Sequence, residues 1–209
     1  MDESVQRAMQ KWPAVPRVYG WLELDRRGQW LVKSRSGGFD RIRNAGLTRF
    51  IGRNYACDED GCWFFQNGPQ RVFVALDYTP LVYHIGRDPV PGAPLTIEAH
   101  TGRTVTRVDG AWIDDAGILL IATEHGPGMI DDRDLERLLP CFTGERGAAL
   151  TEDAIAAAIE SLQDGGTARL RFRYREDTVP VLAIATSDVP VKFGFVQRPV
   201  QPAGQEECY

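Results

Sequence analysis

Short apolar runs separated by tight turns fill most of this 209-residue chain, and they leave little room for anything but antiparallel sheets. Three segments share one D-x-x-G-x-apolar pattern: Asp25-Arg-Arg-Gly28-Gln-Trp30, Asp58-Glu-Asp-Gly61-Cys-Trp63 and Asp114-Asp-Ala-Gly117-Ile-Leu119. Aspartate at the first position and glycine at the fourth suit a type I turn, with the glycine free to take a positive φ. Asn67-Gly68, between the apolar runs 62–65 and 71–76, is a fourth hairpin signal. Strands joined by so few residues pair antiparallel.

Helical signals are fewer. Residues 2–11, 45–53 and 131–139 read as short helices, and residues 151–163 give the clearest pattern. There Thr151 is placed to cap, Glu152 and Asp153 suit the positive end of the dipole, and Gly165 ends the run. Ile155, Ile159 and Leu162 put one apolar stripe towards a core. Strands are expected at 168–174, 179–186 and 191–196. The expected class is α+β: mostly antiparallel β-sheets from two related β-rich halves, with short helices packed on them.

The two-halves expectation comes from an internal echo. Residues 72–90 lie over residues 182–200 at a constant offset of 110, which superposes Pro80 on Pro190, Pro89 on Pro199 and Tyr83 on Phe193. Repeats decide architecture before local patterns do. The implied layout is an N-terminal arm over 1–19, a first β-rich repeat over 20–90, a second over 91–198 and a disordered tail over 199–209. The helix at 151–163 would be an insertion particular to the second copy. The proline- and glycine-rich stretch 87–94 marks the junction.

Composition narrows the function classes. A net charge of −5 argues against a general nucleic-acid binder, whose affinity would rest on a basic surface. No apolar run is long enough to cross a bilayer as a helix, and the first residues lack a basic start and an apolar core of a signal peptide. Cys57, Cys62, Cys141 and Cys208 form no C-x-x-C pair, and three histidines are too few and too scattered for a zinc site. Free thiols in the cytoplasm are the economical expectation. No fingerprint points to a cofactor, and none is expected.

The most distinctive chemical pattern is Arg169-Leu-Arg171-Phe-Arg173-Tyr-Arg175. In a strand, alternate side chains leave on opposite faces, so four guanidinium groups line one face roughly 7 Å apart. Such a row matches phosphate or carboxylate, and suits a small anionic ligand or an acidic partner protein. Its plainer reading is a solvated face whose arginines pair with carboxylates across the sheet. A second candidate is Glu124-His-Gly-Pro-Gly128 followed by Asp131, Asp132 and Asp134, where His125 among carboxylates would give a hydrolase or transferase site. Asp58-Glu-Asp60 is accounted for by turn chemistry, and no nucleophile elbow or catalytic triad spacing is present.

The stretch Asn54-Tyr-Ala-Cys-Asp58, then Gly61-Cys-Trp-Phe-Phe-Gln-Asn-Gly-Pro-Gln-Arg-Val72 and on to Asp77-Tyr-Thr-Pro80, resembles a family of uncharacterised proteobacterial proteins of about this length, known only as a domain of unknown function. The D-G-x-W-F pattern, with a valine-rich strand and a proline after it, is also similar to a second bacterial unknown-function family built from repeated structural motifs. That resemblance implies a role in signal transduction. Neither supplies catalytic residues. The expected function is a non-enzymatic binding or regulatory module, with the hydrolase or transferase site near His125 and Asp131–Asp134 as the alternative.

Overall fold

The three D-x-x-G turns form as expected, and each is closed in the same way. Asp25 Oδ1 accepts from Arg27 N and Gln29 N, Asp58 Oδ1 from Asp60 N and Cys62 N, and Asp114 Oδ1 from Ala116 N and Ile118 N. In each, the glycine N–H returns to the aspartate carbonyl, at a φ of +71° to +80°. The computed structural model describes residues 1–12, 15–86, 94–166 and 169–202. The expected junction at 87–94 falls, Pro94 apart, outside the described residues, as do residues 203–209 of the expected tail. The chain divides into two units: Met1–Pro80 with His100–Gly102 and Gly194–Tyr209, and Leu81–Ala99 with Arg103–Phe193.

The first unit starts with α1 (Glu3–Lys11), which buries Val5. Strands β1 (Val18–Leu24), β2 (Trp30–Lys33) and β3 (Phe39–Arg41) precede α2 (Ala45–Arg53), and β4 (Tyr55–Cys57), β5 (Trp63–Asn67) and β6 (Gln70–Leu76) follow it. They form one sheet in the order β3-β2-β1-β6-β5-β4, antiparallel except between β1 and β6. One face buries Leu22, Leu24, Trp30, Tyr55, Trp63, Phe65, Val74 and Leu76. The rings interlock edge to face: Trp30 with Tyr55 at 5.0 Å, and Phe50 of α2 with Phe65 at 5.5 Å. Asn44 caps α2 by accepting from Leu47 N.

The second unit contains β7 (Leu81–Ile85), β8 (Ile97–Ala99), β9 (Val108–Asp114), β10 (Leu119–Thr123), β11 (Gly126–Ile130), the single turn α3 (Leu135–Leu138), β12 (Phe142–Thr143), α4 (Glu152–Gln163), β13 (Arg171–Tyr174), β14 (Asp177–Ile184) and α5 (Val189–Phe193). Its eight strands run β12-β13-β14-β9-β10-β11-β7-β8, antiparallel except for β9–β14 and β7–β11. Phe172, Val181, Ile113, Leu119, Ile121, Ile130 and Tyr83 fill the inner face. The Tyr174 hydroxyl accepts from Ile97 N (3.0 Å) and donates to Val105 O (3.1 Å). That bond pair ties β13 to β8 near the other end, so the sheet curls around its core. Thr151 caps α4 as expected, accepting from Ala154 N.

The class is therefore α+β, with five helices and two mostly antiparallel sheets among the described residues. The two sheets share a plan. β1 to β6 of the first unit and β9 to β14 of the second are paired in the same order and the same senses, with β7 and β8 added beyond β11. Pairing sets Asp25 level with Asp114, and Asn67 level with Tyr174. The spacing between equivalents is thus not constant: it widens across the segment that carries α4.

The offset of 110 does not follow this plan. Residues 81–85 form β7, whereas the segment superposed on them falls on α5, not on the strand expected at 191–196. The prolines explain the difference. Pro80 precedes a strand, while Pro190 sits in the first turn of α5, where its fixed φ suits a helix and its missing N–H leaves no gap. The glycine-rich run after Glu124 forms a strand, β11. Gly128 lies so close to Leu81 O that an added Cβ would stand 2.5 Å away.

Candidate functional site

Alternation along β13 works as the sequence implies. Leu170, Phe172 and Tyr174 are buried, and Arg169, Arg173 and Arg175 are exposed, with Arg171 half-buried. Only Arg171 and Arg173 belong to the strand itself. Arg169 precedes it and pairs with Glu145. Arg175 opens the two-residue loop to β14, with φ at +52°, and its guanidinium lies 5.5 Å from the Tyr174 ring centre. Across the strands, Arg171 faces Thr143 and Pro180, and Arg173 faces Thr178. No carboxylate stands opposite either. Arg171 Nη2 donates to Thr178 O at 2.9 Å, and among the described residues Arg171, Arg173 and Arg175 make no ion pair. Burial pushes the neighbouring Cys141 thiol up, while the Arg173 charge pulls it down.

The alternative site does not assemble around His125. Its Nε2 lies 2.9 Å from Thr104 O and 3.7 Å from Glu124 Oε1. Asp131 begins beyond the far end of β11, and six extended residues span about 20 Å. The histidine that meets Asp131 is His84, whose Nδ1 is 3.4 Å from Asp131 Oδ2 and 3.7 Å from Asp134 Oδ2. Both carboxylates already serve the local backbone. Asp131 accepts from Arg133 N (3.0 Å) and Arg133 Nε (2.8 Å), and Asp134 from Ile85 N (3.0 Å). The Arg133 side chain holds the buried Asp131 carboxyl well below the usual carboxylate range. Among the described residues no group of three or more His, Cys, Asp or Glu is placed to hold a metal ion.

The model of the DUF2944 family, described as a protein of unknown function (DUF2946), matches residues 1–200. The chain belongs to DUF2944. No curated protein matches it at a significant level. Among solved structures, a DUF1285 family protein from Silicibacter pomeroyi DSS-3 is similar to this DUF2944 chain with a TM-score of 0.52 and 14% identity, over 81% of this chain and 84% of that one. A DUF1285 family protein from Shewanella baltica OS155 matches at a TM-score of 0.41 and 17% identity, over 56% of this chain and 87% of its own. The first likeness shows a shared fold.

Other chemistry-bearing side chains of this DUF2944 chain escaped the sequence. A groove of about 600 Å³ beside the second D-x-x-G turn is lined by Arg17, Cys57, Asp58, Asp60, Phe64 and Arg71. Arg71 lies 3.8 Å from Asp58 and stacks its guanidinium 4.0 Å over the Phe64 ring. Burial and the Asp58 charge push the Cys57 thiol up to about 11, so it is a poor nucleophile at neutral pH. Cys57, Cys62 and Cys141 are free. Arg17 and Arg71 stand far apart in sequence, and the pairing of β1, which Arg17 directly precedes, with β6 brings them together. His84 had a usable signal, since it alternates with buried Tyr83 and Ile85 on β7.

Proposed function

We propose that the chain is a non-enzymatic binding module that receives an acidic partner, or a small anionic ligand, on the arginine strip of β13 and its loop. One observation carries this reading: three guanidinium groups belong to one strand and its turn without an ion pair among the described residues, and the two on the strand stand opposite neutral Thr and Pro. The plainer reading needed carboxylates across the sheet. Arg175 adds support. A non-glycine residue in the left-handed region is strained by about 1–2 kcal/mol, and the equivalent loop position in the first unit is Gly68, at φ +58°. An arginine kept where glycine fits better suggests a use for its side chain.

Several finer points belong to the same reading. Three free cysteines suit a reducing compartment such as the cytoplasm. No helix among the described residues is long and apolar enough to cross a membrane. The common strand plan of the two sheets supports descent from one duplicated unit, with α4 inserted into the second copy; an experimental structure in which β11 or β12 paired otherwise would remove that idea. A partner-binding strip is also compatible with a role in signal transduction.

Calorimetric titration with a poly-glutamate peptide tests the strip. Wild type should bind with an affinity that weakens as salt is added. Arg171→Glu with Arg173→Glu should weaken binding at least tenfold. Arg175→Gly should bind more weakly yet unfold at higher denaturant, by about 1 kcal/mol. Equal binding by wild type and the charge-reversed protein would sink the proposal.

A further inference from the structure

A second cavity, in the first unit, has a composition at odds with the rest of the chain. It measures about 250 Å³, and the residues lining it include Gln29, Trp30, Arg41, Thr48, Arg49, His100 and Thr101. The protein carries 29 Asp and Glu against 24 Lys and Arg, yet no carboxylate is among the described residues lining this space. Arg41 comes from the end of β3 and Arg49 from the second turn of α2. Neither makes an ion pair or side-chain hydrogen bond among the described residues. The Thr101 Oγ1 is buried and has no hydrogen-bond partner among them.

The walls are held firmly. The His100 ring packs edge-on against Trp30 at 5.1 Å and Tyr55 at 5.8 Å, both buried core residues. Gly52 lets α2 approach the Thr101 backbone so closely that a Cβ there would stand 3.1 Å from Thr101 Cα and O. The loop carrying Thr101 is therefore seated on α2 beside Arg49.

The geometry points to a binding site for a tetrahedral phosphate-type dianion, free or as the phosphate ester of a small metabolite. Two forked guanidinium groups and the Gln29 amide offer more donors than the two oxygens of a carboxylate take up, while a phosphate presents oxygens in several directions. The volume is several times the roughly 30 Å³ share of one water and below that of sites for drug-sized ligands, about 300–1,000 Å³. The site is separate from the arginine strip, and neither proposal needs the other.

Thermal-shift and calorimetric titrations of the full chain with inorganic phosphate and with glycerol 3-phosphate, at ionic strength held constant with chloride, test it. Wild type should bind at least one probe and melt at higher temperature as it saturates. Arg41→Ala with Arg49→Ala, both exposed positions, should weaken binding at least tenfold. Arg41→Lys with Arg49→Lys should retain part of it, because charge survives and the fork does not. Preference for the ester over free phosphate assigns the ligand to small metabolites, and equal binding assigns it to the inorganic ion. Absence of binding by wild type at millimolar probe, or binding untouched in Arg41→Ala with Arg49→Ala, overturns the site.

Discussion

At the scale of the residue, glycine 61 shows how a turn motif becomes a docking point. Its φ of +79° already favours glycine, and a Cβ at this position would stand 2.3 Å from the Gly194 carbonyl oxygen. The D-x-x-G turn requires the first property, and the returning chain at Gly194 requires the second. Gly37 separates the two effects, since it has a φ of +95° with nothing within 4 Å of an added Cβ. Gly37→Ala should lower stability by about 1–2 kcal/mol, the left-handed strain alone. Gly61→Ala should lower it by about 2–4 kcal/mol, because overpacking against backbone is added. Urea unfolding of both variants is the measurement, and equal losses would show that the Gly194 contact yields without strain. The left-handed glycine was legible in the pattern. Its neighbour across 133 residues of chain was not, because no local signal records what a turn packs against.

At the scale of the element, the β9–β10 hairpin ends in a carboxylate that ties together the loop beside it. Burial pushes the Glu124 carboxyl up, but hydrogen bonds from Thr106 Oγ1 (2.7 Å), Thr106 N (2.6 Å) and Arg107 N (3.2 Å) outweigh it and hold the group at about 2. A carboxyl depressed in the folded state stabilises the fold above its unfolded pKa, about 4.3, and that contribution is lost as pH falls towards 2. Glu124→Gln should therefore unfold at lower denaturant than wild type at pH 7, by about 1–3 kcal/mol, with the gap closing between pH 4.5 and 2. A gap of constant size across that range would show that packing, not charge, carries the effect. Elements of this kind were readable to different depths. The α2 and α4 helices and the hairpins followed from caps, periodicity and turn residues. α5 and β11 did not, since Pro190 and the Gly126-Pro127-Gly128 run are usable in more than one local structure. The alternation that defines the β13 arginines needed only period-two reasoning. The cavity walled by Arg41, Arg49 and Thr101 joins three segments that only the tertiary fold brings together.

At the scale of the whole molecule, one strand plan carries opposite chemistry in its two occurrences. The positions taken by Arg171, Arg173 and Arg175 in the second unit are taken in the first by Phe64, Gln66 and Gly68, of which Phe64 and Gln66 are buried. The same sheet position is thus covered in one unit and presented outward in the other. The first unit is also discontinuous, and its last piece is small enough to remove. Val196 N donates to Gly61 O (2.9 Å), Leu76 N to Gln197 O (2.7 Å) and Gln197 Nε2 to Tyr78 O (3.2 Å), while Phe195 is buried at 6% exposure. Ending the chain at Phe193 deletes these contacts from the first unit alone. Losing a buried phenylalanine removes about 3–5 kcal/mol, and in a unit of this size that lowers the melting midpoint by about 10 °C or more. In a Trp112→Phe background all tryptophan emission comes from the first unit, through Trp12, Trp21, Trp30 and Trp63. Emission should then report an early transition in the shortened chain, ahead of the loss of far-UV circular dichroism from the second unit. If the shortened and full-length chains melted together, the C-terminal segment would be a passenger on the first unit rather than part of its core.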